Sequence, residues 1–189
     1  VGQKSIAYQE NNVAIGKESA ALGKYSTAIG ASTGQPRTPV LTNDSNNNNQ
    51  LTAIDGIPVT ATGSTPDTIT EINGTAVTPD QRNAFIALLS SGANLAGGEA
   101  SLALGTSNLA TGNSSVALGS MNSSSATSSV ALGSNNNANG SSSIAIGDRN
   151  SASASNAVAI GTQASSSRSN TIAIGKGAIA DTSSGIAIG

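Results

Sequence analysis

Apolar side chains return at a fixed interval along the second half of the chain. From Leu102 onward, a phrase of Val, Ile or Leu, then Ala, then Ile or Leu, then Gly recurs at every fourteenth position. The two large side chains of the phrase lie two positions apart, which is the period of a β-strand. A short period held over many copies predicts a solenoid, in which each coil stacks on its neighbours. The copies begin at Leu102, Val116, Val130, Ile144, Val158, Ile172 and Ile186.

A second, weaker phrase lies half a period away and predicts another strand in each coil. Small residues stand at its centre, at Ala110, Ser124, Ala138, Ala152 and Ser166, with mostly polar residues beside them. One period of the sequence is therefore expected to form one coil with two strands and two tight turns. Successive coils would pair at roughly 4.7–4.9 Å.

The small residues decide what the coil encloses. Because both strands carry them in matching positions, we expect a thin roll with Ala inside and Val, Ile and Leu outside. The reverse assignment would bury Ser123, Ser125, Asn137 and Asn139 opposite large apolar side chains, without partners. The outward assignment leaves an apolar stripe larger than a soluble monomer exposes, so we expect several chains to bury it around a shared axis. The side chains predicted at this axis are Val116, Leu118, Val130, Leu132, Ile144, Ile146, Val158, Ile160, Ile172 and Ile174.

The repeats fall into two blocks separated by an insertion. Residues 1–30 carry the phrase at a seven-residue step, and residues 95–189 carry it at twice that step. Residues 31–94 break the register and form the predicted insertion. Its first part, including Thr38, Pro39 and the run 43–50, is polar and predicted to be a loop.

The rest of the insertion predicts hairpins followed by a helix. Residues 57–62 and 68–72 are predicted strands, and Asn73-Gly74 is a hairpin signal before residues 75–77. Thr78, Pro79 and Gln81 are typical of a helix start. The predicted helix, near 79–91, would pack through Phe85, Leu88 and Leu89 and end at Gly92.

Composition excludes several functions. The chain has no Cys and no His, which rules out a thiol nucleophile, a His general base and a soft-metal site. Its eight Lys and Arg are scattered, so a nucleic-acid surface is not expected. Its ten Asp and Glu are dispersed and out of phase with the repeat, unlike the carboxylates of a solenoid glycosidase. We predict no catalytic residues, no cofactor and no metal site.

Two charged positions have simple structural interpretations. Asp148, Arg149 and Asn150 are predicted to form a turn, with Asp and Asn bonding local backbone, rather than a metal site. Arg168 replaces a small residue at the end of a second strand and is expected to reach solvent.

The phrases at Asn12-Val13-Ala14-Ile15-Gly16, 115–119 and 143–147 resemble the head repeat of trimeric autotransporter adhesins, the YadA-like heads. The resemblance covers residues 1–30 and 95–189. It implies a left-handed parallel β-roll, a homotrimer with the Val and Ile rows near its axis, and a place on the bacterial cell surface, in the distal part of a fibre anchored in the outer membrane. It also implies binding to host cells or to matrix proteins such as collagen, fibronectin or laminin.

Other features of the chain leave questions open. It begins in mid-pattern and shows no long apolar run, so we expect a fragment of a longer protein that makes no membrane contact itself. A monomeric solenoid that binds ice is the alternative function, although the outward row of the second strand varies in Leu109, Ser123, Asn137 and Ser151. The residues that contact a ligand are not identified by the sequence.

Overall fold

Stacked coils make up most of the described chain. The structure, a computed structural model, describes residues 5–7, 9, 11–32, 41–44, 50–54, 57–72, 75–76, 79, 82–83, 86 and 92–189. Within these residues the chain forms two parallel sheets of nine strands each, sheet A and sheet B, and one antiparallel sheet of five strands. The predicted all-β parallel solenoid with 14-residue coils is therefore confirmed.

The two parallel sheets take alternate strands of the coil. Sheet A contains β1 (Ile6–Ala7), β3 (Ser19–Ala21), β10 (Asn94–Ala96), β12 (Leu109–Ala110), β14 (Ser123–Ser124), β16 (Asn137–Ala138), β18 (Ser151–Ala152), β20 (Ser165–Ser166) and β22 (Ile179–Ala180). Sheet B contains β2 (Val13–Ile15), β4 (Thr27–Ala31), β11 (Leu102–Thr106), β13 (Val116–Ser120), β15 (Val130–Ser134), β17 (Ile144–Asp148), β19 (Val158–Thr162), β21 (Ile172–Ile174) and β23 (Ile186–Ile188).

Register between coils is strict, and equivalent residues stack. Val116 lies beside Val130, Ala117 beside Ala131 and Gly119 beside Gly133. The alanines of both sheets, such as Ala117 and Ala138, are completely buried, whereas Val116 is only half-buried. The interior therefore holds small side chains, and the large ones point outward, as the outward assignment predicted.

Each coil turns through residues in the left-handed backbone region. One such residue falls every seven positions, for example Ser114 and Met121, with φ of 56° and 53°. A left-handed backbone costs a residue that has a Cβ about 1–2 kcal/mol. The Gly that closes each sheet B phrase has another reason to be Gly. A Cβ on Gly133 would lie 2.1 Å from the carbonyl oxygen of Gly147 in the next coil.

A ladder of buried asparagines runs along the turns that lead from sheet B to sheet A. Its members recur once per coil and are at most 1% exposed; they are Asn94, Asn108, Asn122, Asn136 and Asn150. The Asn136 side-chain amide donates to Asn122 Oδ1, to the Leu132 carbonyl and to the Gly147 carbonyl, at 3.0, 3.0 and 2.7 Å. Its own Oδ1 accepts from the backbone and side-chain nitrogens of Asn150, at 3.0 and 2.9 Å. The side-chain amides of Asn122, Asn136 and Asn150 thus each join three coils.

Two serines that replace alanine inside the roll, Ser124 and Ser166, form hydrogen bonds through their hydroxyl groups. The Ser124 hydroxyl lies 2.6 Å from the Ser129 hydroxyl, and Ser166 lies 2.6 Å from the Thr171 hydroxyl. Both pairs join sheet A to the residue that precedes the next strand of sheet B. The hydroxyls of Ser115 and Ser143, at the position of Ser129 in other coils, are instead buried with no hydrogen-bond partner among the described residues.

The third sheet is a meander in the order β5 (Leu41–Asp44), β6 (Gln50–Ile54), β7 (Ile57–Ala61), β8 (Ile69–Ile72) and β9 (Thr75–Ala76). The predicted strands at 57–62 and 68–72 are confirmed as β7 and β8, which pair antiparallel with each other. A 3-10 turn at Pro66–Thr68 precedes β8. Strand β4 ends at Ala31 and β10 begins at Asn94, close to the predicted borders of the insertion. The division into domains stays a prediction.

The loop predicted for the first part of the insertion is wrong in part. Asn43 and Asp44 belong to β5, and Gln50 begins β6. The sequence pattern did not reveal these strands because residues 43–50 are all Asn, Asp, Ser or Gln, a composition typical of a loop. A bulge makes Thr42 face Ala53 while Asn43 faces Leu51. Thr38, Pro39 and residues 45–49 lie outside the described residues.

The predicted helix is described at four of its positions. Pro79, Arg82, Asn83 and Ile86 have helical backbone. Thr78, Gln81, Phe85, Leu88 and Leu89 lie outside the described residues, as does the predicted turn at Asn73-Gly74.

Strands β6 and β8 are copies of one another. Leu51-Thr52-Ala53-Ile54 in β6 matches Ile69-Thr70-Glu71-Ile72 in β8. In each copy the threonine is the extra residue of a bulge, and its hydroxyl donates across the sheet, from Thr52 to the Thr42 carbonyl and from Thr70 to the Thr60 carbonyl, at 3.1 and 3.2 Å. The insertion is therefore a duplicated hairpin.

This meander packs on the outer face of sheet A. Leu51, Ile54, Ile69 and Ile72 share one buried cluster with Leu95 of the roll. Ala20 and Leu109 flank Leu95 in the sheet A row, and Ile6 lies beyond Ala20; all three pack in or against the same cluster. Beyond them the row continues with four half-buried polar residues, Ser123, Asn137, Ser151 and Ser165. The row is thus apolar where the insertion covers it.

The closing glycines provide a first test. We expect Gly133→Ala to lower the free energy of unfolding several-fold more than Gly177→Ala, which should cost about 1–2 kcal/mol. Gly177 also has a positive φ, 70°, but a Cβ there would meet no atom within 4 Å. Thermal and denaturant unfolding followed by circular dichroism would measure both. Equal losses would contradict the close backbone contact between coils.

The asparagine ladder provides a second test. Asn136→Ala should lower the free energy of unfolding by on the order of 3 kcal/mol, because several buried groups lose a partner together. Ala164→Asn, at the position that follows Asn150 in the ladder, should raise it by about 1 kcal/mol. The exposed Asn139→Ala is the control and should stay within about 0.5 kcal/mol of the parent. The ladder would be discounted if Asn136→Ala behaved like this control.

Candidate subunit interface

The outer face of sheet B carries large apolar side chains along the whole roll. We call this set the apolar face; it comprises Val13, Ile15, Ile29, Leu102, Leu104, Val116, Leu118, Val130, Leu132, Ile144, Ile146, Val158, Ile160, Ile172, Ile174, Ile186 and Ile188. The face is about 40 Å long, because its nine strands follow one another at the usual distance between neighbouring strands. It is continuous because each strand of sheet B pairs in register with the next.

Local structure forces these side chains outward. Successive residues of a strand point to opposite faces, so a central Ala that faces inward places both of its neighbours on the outside. Ala145 and Ala159 are completely buried, while Ile144 and Val158 are half-buried. Their remaining exposure is limited by the equivalent side chains of the coils above and below. The face is therefore flat and closely packed before any partner meets it.

The ten side chains predicted at the axis all lie on this face. Nine of them are half-buried in the single chain, and Ile174 is 38% exposed. They belong to none of the buried clusters formed by the described residues, which hold the alanines of the roll and the core of the insertion. The structure brings them together as one surface. Their contact with other chains stays a proposal.

The two outer faces of the roll differ in what covers them. The insertion packs over the apolar part of the sheet A row, around Ile6, Leu95 and Leu109. Ile179 is the exception on sheet A, since it is 63% exposed. Sheet B has apolar residues in every coil, and the described residues of the insertion pack on sheet A instead. The apolar face therefore has the chemistry of a surface that is buried by association.

The charged residues singled out by sequence have local roles. Asp148 forms an ion pair with Arg149, its Oδ2 lying 2.9 Å from Nε, and both side chains are partly exposed. Asn150 bonds the local Ile146 carbonyl, as predicted, but it also reaches Asn136 and Gly161 in neighbouring coils. Arg168 is exposed, as predicted.

Two features are absent from the part of the chain that the structure describes. Those residues contain no group of three or more His, Cys, Asp or Glu placed to hold a metal ion. None of their helical segments is long and apolar enough to cross a membrane.

The sequence reasoning missed the asparagine ladder. Asn108, Asn122 and Asn136 occupy one position of consecutive coils, and this regular spacing was the signal that could have revealed them. They add hydrogen bonds between successive coils, and so they reinforce the register that keeps the side chains of the apolar face in straight rows.

Comparison with known proteins agrees with the coil structure. The family model described as the YadA head domain repeat matches residues 7–33, 96–120, 124–150, 152–178 and 169–189. These segments span both blocks of coils and leave out the antiparallel insertion. No curated protein sequence matches the chain at a significant level.

Proposed function

Because the chain belongs to the YadA head domain repeat family, as the match over most of its length shows, we propose that it is the non-enzymatic adhesive head of a bacterial surface fibre. The family is that of a trimeric autotransporter adhesin head. In this proposal the chain acts as a homotrimer, displayed at the cell surface in the distal part of a fibre anchored in the outer membrane. It binds host cells or extracellular-matrix proteins of the collagen, fibronectin or laminin class.

The main support for the proposed trimer is that the apolar face runs the length of the roll. Burying a Val, Leu or Ile side chain fully contributes about 1.5–3 kcal/mol, and half-buried ones have a part of this left to gain. The gain adds up over rows such as Ile144–Ile146 and Val158–Ile160. A closed cyclic arrangement would bury all rows at once around an axis parallel to the roll.

Adhesion follows from the outer surface that such a trimer would present. With sheet B at the axis, sheet A and its insertion face outward in three copies. Weak contacts made by three identical faces gain strength through effective concentration. The roll supplies a stiff support, since the strands of successive coils are joined by parallel hydrogen-bond ladders.

The association state tests the trimer directly. We expect light scattering coupled to size exclusion to give three times the 18.3 kDa of one chain, unchanged on dilution. The double variant Ile146→Asp and Ile160→Asp should give folded monomers, because it places carboxylates in the apolar face. Ser151→Asp and Ser165→Asp, at outward positions of sheet A in the same coils, are the matched control and should stay trimeric. A monomeric parent chain, or a trimeric Ile variant, would overturn the proposal.

Binding to immobilised collagen, fibronectin and laminin tests adhesion. We expect the trimer to bind at least one of them, and the monomeric Ile146→Asp, Ile160→Asp variant to bind at least about 100-fold more weakly, because avidity is lost. Surface plasmon resonance would measure both, with serum albumin as the negative surface. A trimer that binds none of the three matrix proteins would refute the matrix part of the proposal.

A further inference from the structure

In the coils between Val116 and Thr171, the two edges of the roll carry side chains of different size. We call the turns from sheet B to sheet A the B-to-A rim and those from sheet A to sheet B the A-to-B rim. Between Val116 and Thr171, the left-handed positions of the B-to-A rim hold Met121, Asn135, Arg149 and Gln163. The left-handed positions of the A-to-B rim hold Ser128, Ser142, Asn156 and Asn170 over the same stretch.

Large residues are unexpected at these turns. Met121, Arg149 and Gln163 have φ of 53°, 55° and 59°, a region that Gly and Asn occupy more easily than longer side chains do. The rim accepts Gly, because Gly177 occupies the equivalent position two coils after Arg149. Large residues held in an unfavourable backbone region are a recognised sign of function.

The large side chains are also accessible. Met121 is 46% exposed, and the Arg149 side chain is 59% exposed even with its Asp148 partner. Gln163 is exposed as well. Arg149 follows Met121 by two coils, with Asn135 between them, and Gln163 follows Arg149 by one coil, so these side chains form a ridge along the edge of the apolar face.

Cyclic symmetry determines which surface of the neighbouring subunit the ridge would meet. In a closed ring every subunit meets the next one through two different surfaces, so one edge of a chain faces the other edge of its neighbour. A ridge of large side chains on one edge and a row of Ser and Asn on the other are complementary in that arrangement. A two-fold dimer would instead place ridge against ridge.

We propose that the B-to-A rim of each subunit packs against the A-to-B rim of the next, with Met121, Arg149 and Gln163 lying over the row of Ser128, Ser142 and Asn156. The inference rests on the proposed trimer and adds the residues that close it at its edges. Rotational symmetry keeps equivalent coils at one height, so Arg149 meets the neighbour's turns at Ser142 and Asn156. The rims thus seal the apolar face from water along its length.

Site-directed cross-linking tests this pairing. The chain is suited to this method because it has no cysteine of its own. The double variant Arg149→Cys and Asn156→Cys would be treated with a bis-maleimide whose spacer is shorter than the roll is wide. Within one chain the two positions stand on opposite edges, about 17 Å apart, because the segment between them runs across sheet A. We expect a covalent trimer on a denaturing gel. Each single variant, and the pair Ser151→Cys and Asn156→Cys, should remain monomeric on the gel.

The outcomes separate this inference from the trimer itself. A trimer by light scattering that gives no covalent trimer with the double variant overturns the rim pairing and leaves the proposed function standing. Dimers formed by Arg149→Cys alone would mean that like edges meet, which also overturns it. Monomers by light scattering would overturn both proposals.

A variant without any cross-linker gives an independent readout. Met121→Gly, Arg149→Gly and Gln163→Gly together remove the ridge while relieving the left-handed turns. We expect the variant trimer to dissociate at a concentration at least tenfold higher than the concentration at which the parent trimer dissociates. The circular dichroism spectrum should be unchanged. Dissociation at the parent's concentration would count against the rim contact.

Discussion

The thinness of the roll is the constraint on which the structure depends. Its two sheets enclose one layer of small side chains, with Ala117, Ala131 and Ala145 stacked and completely buried. There is no room for even one methyl group where the closing glycines meet, because a Cβ on Gly119 would lie 2.0 Å from the Gly133 carbonyl. Every larger apolar side chain must therefore stand outside. The coil cannot bury its own hydrophobic residues, which reverses the usual relation between a domain's core and its surface.

The large apolar side chains outside the roll need a cover, and the two sheets differ in what would provide it. On sheet A the chain covers itself, since the duplicated hairpin packs Leu51, Ile54, Ile69 and Ile72 over the apolar coils near Leu95. The row turns polar at Ser123, as soon as that cover ends. On sheet B the apolar rows extend through all coils, and in the proposed trimer other copies of the chain cover them. The composition of each outer row thus reports what lies over it.

Much of this architecture could be predicted from sequence, for a physical reason. A repeat must satisfy the same packing in every coil, so the inward Ala and the closing Gly appear as a period. Strands β7 and β8 were predictable because β-branched residues fill them and the turn residues from Gly63 to Asp67 separate them. Strand β6 carries the same bulge as β8, but it was missed because the polar run 43–50 before it has the composition of a loop. The asparagine ladder was hidden for another reason: Asn is so frequent in this chain's turns that its buried members resemble the exposed ones.

The asparagine ladder reinforces the register between coils, and this register keeps the side chains of the outer faces in straight rows. A slip of one residue between coils would move Val or Ile into an interior sized for Ala, so each coil has one allowed register. Asn122 and Asn136 reinforce it, because each amide donates to backbone carbonyls of its own coil and of the next coil, and to Oδ1 of the preceding asparagine. After Asn150 the position becomes Ala164, whose backbone nitrogen still donates to Asn150 Oδ1. The ladder therefore ends without leaving an unpaired amide, and the register continues through the backbone bonds alone. Since both the apolar face and the two rims are built from one residue per coil, their straightness depends on this register being kept from coil to coil.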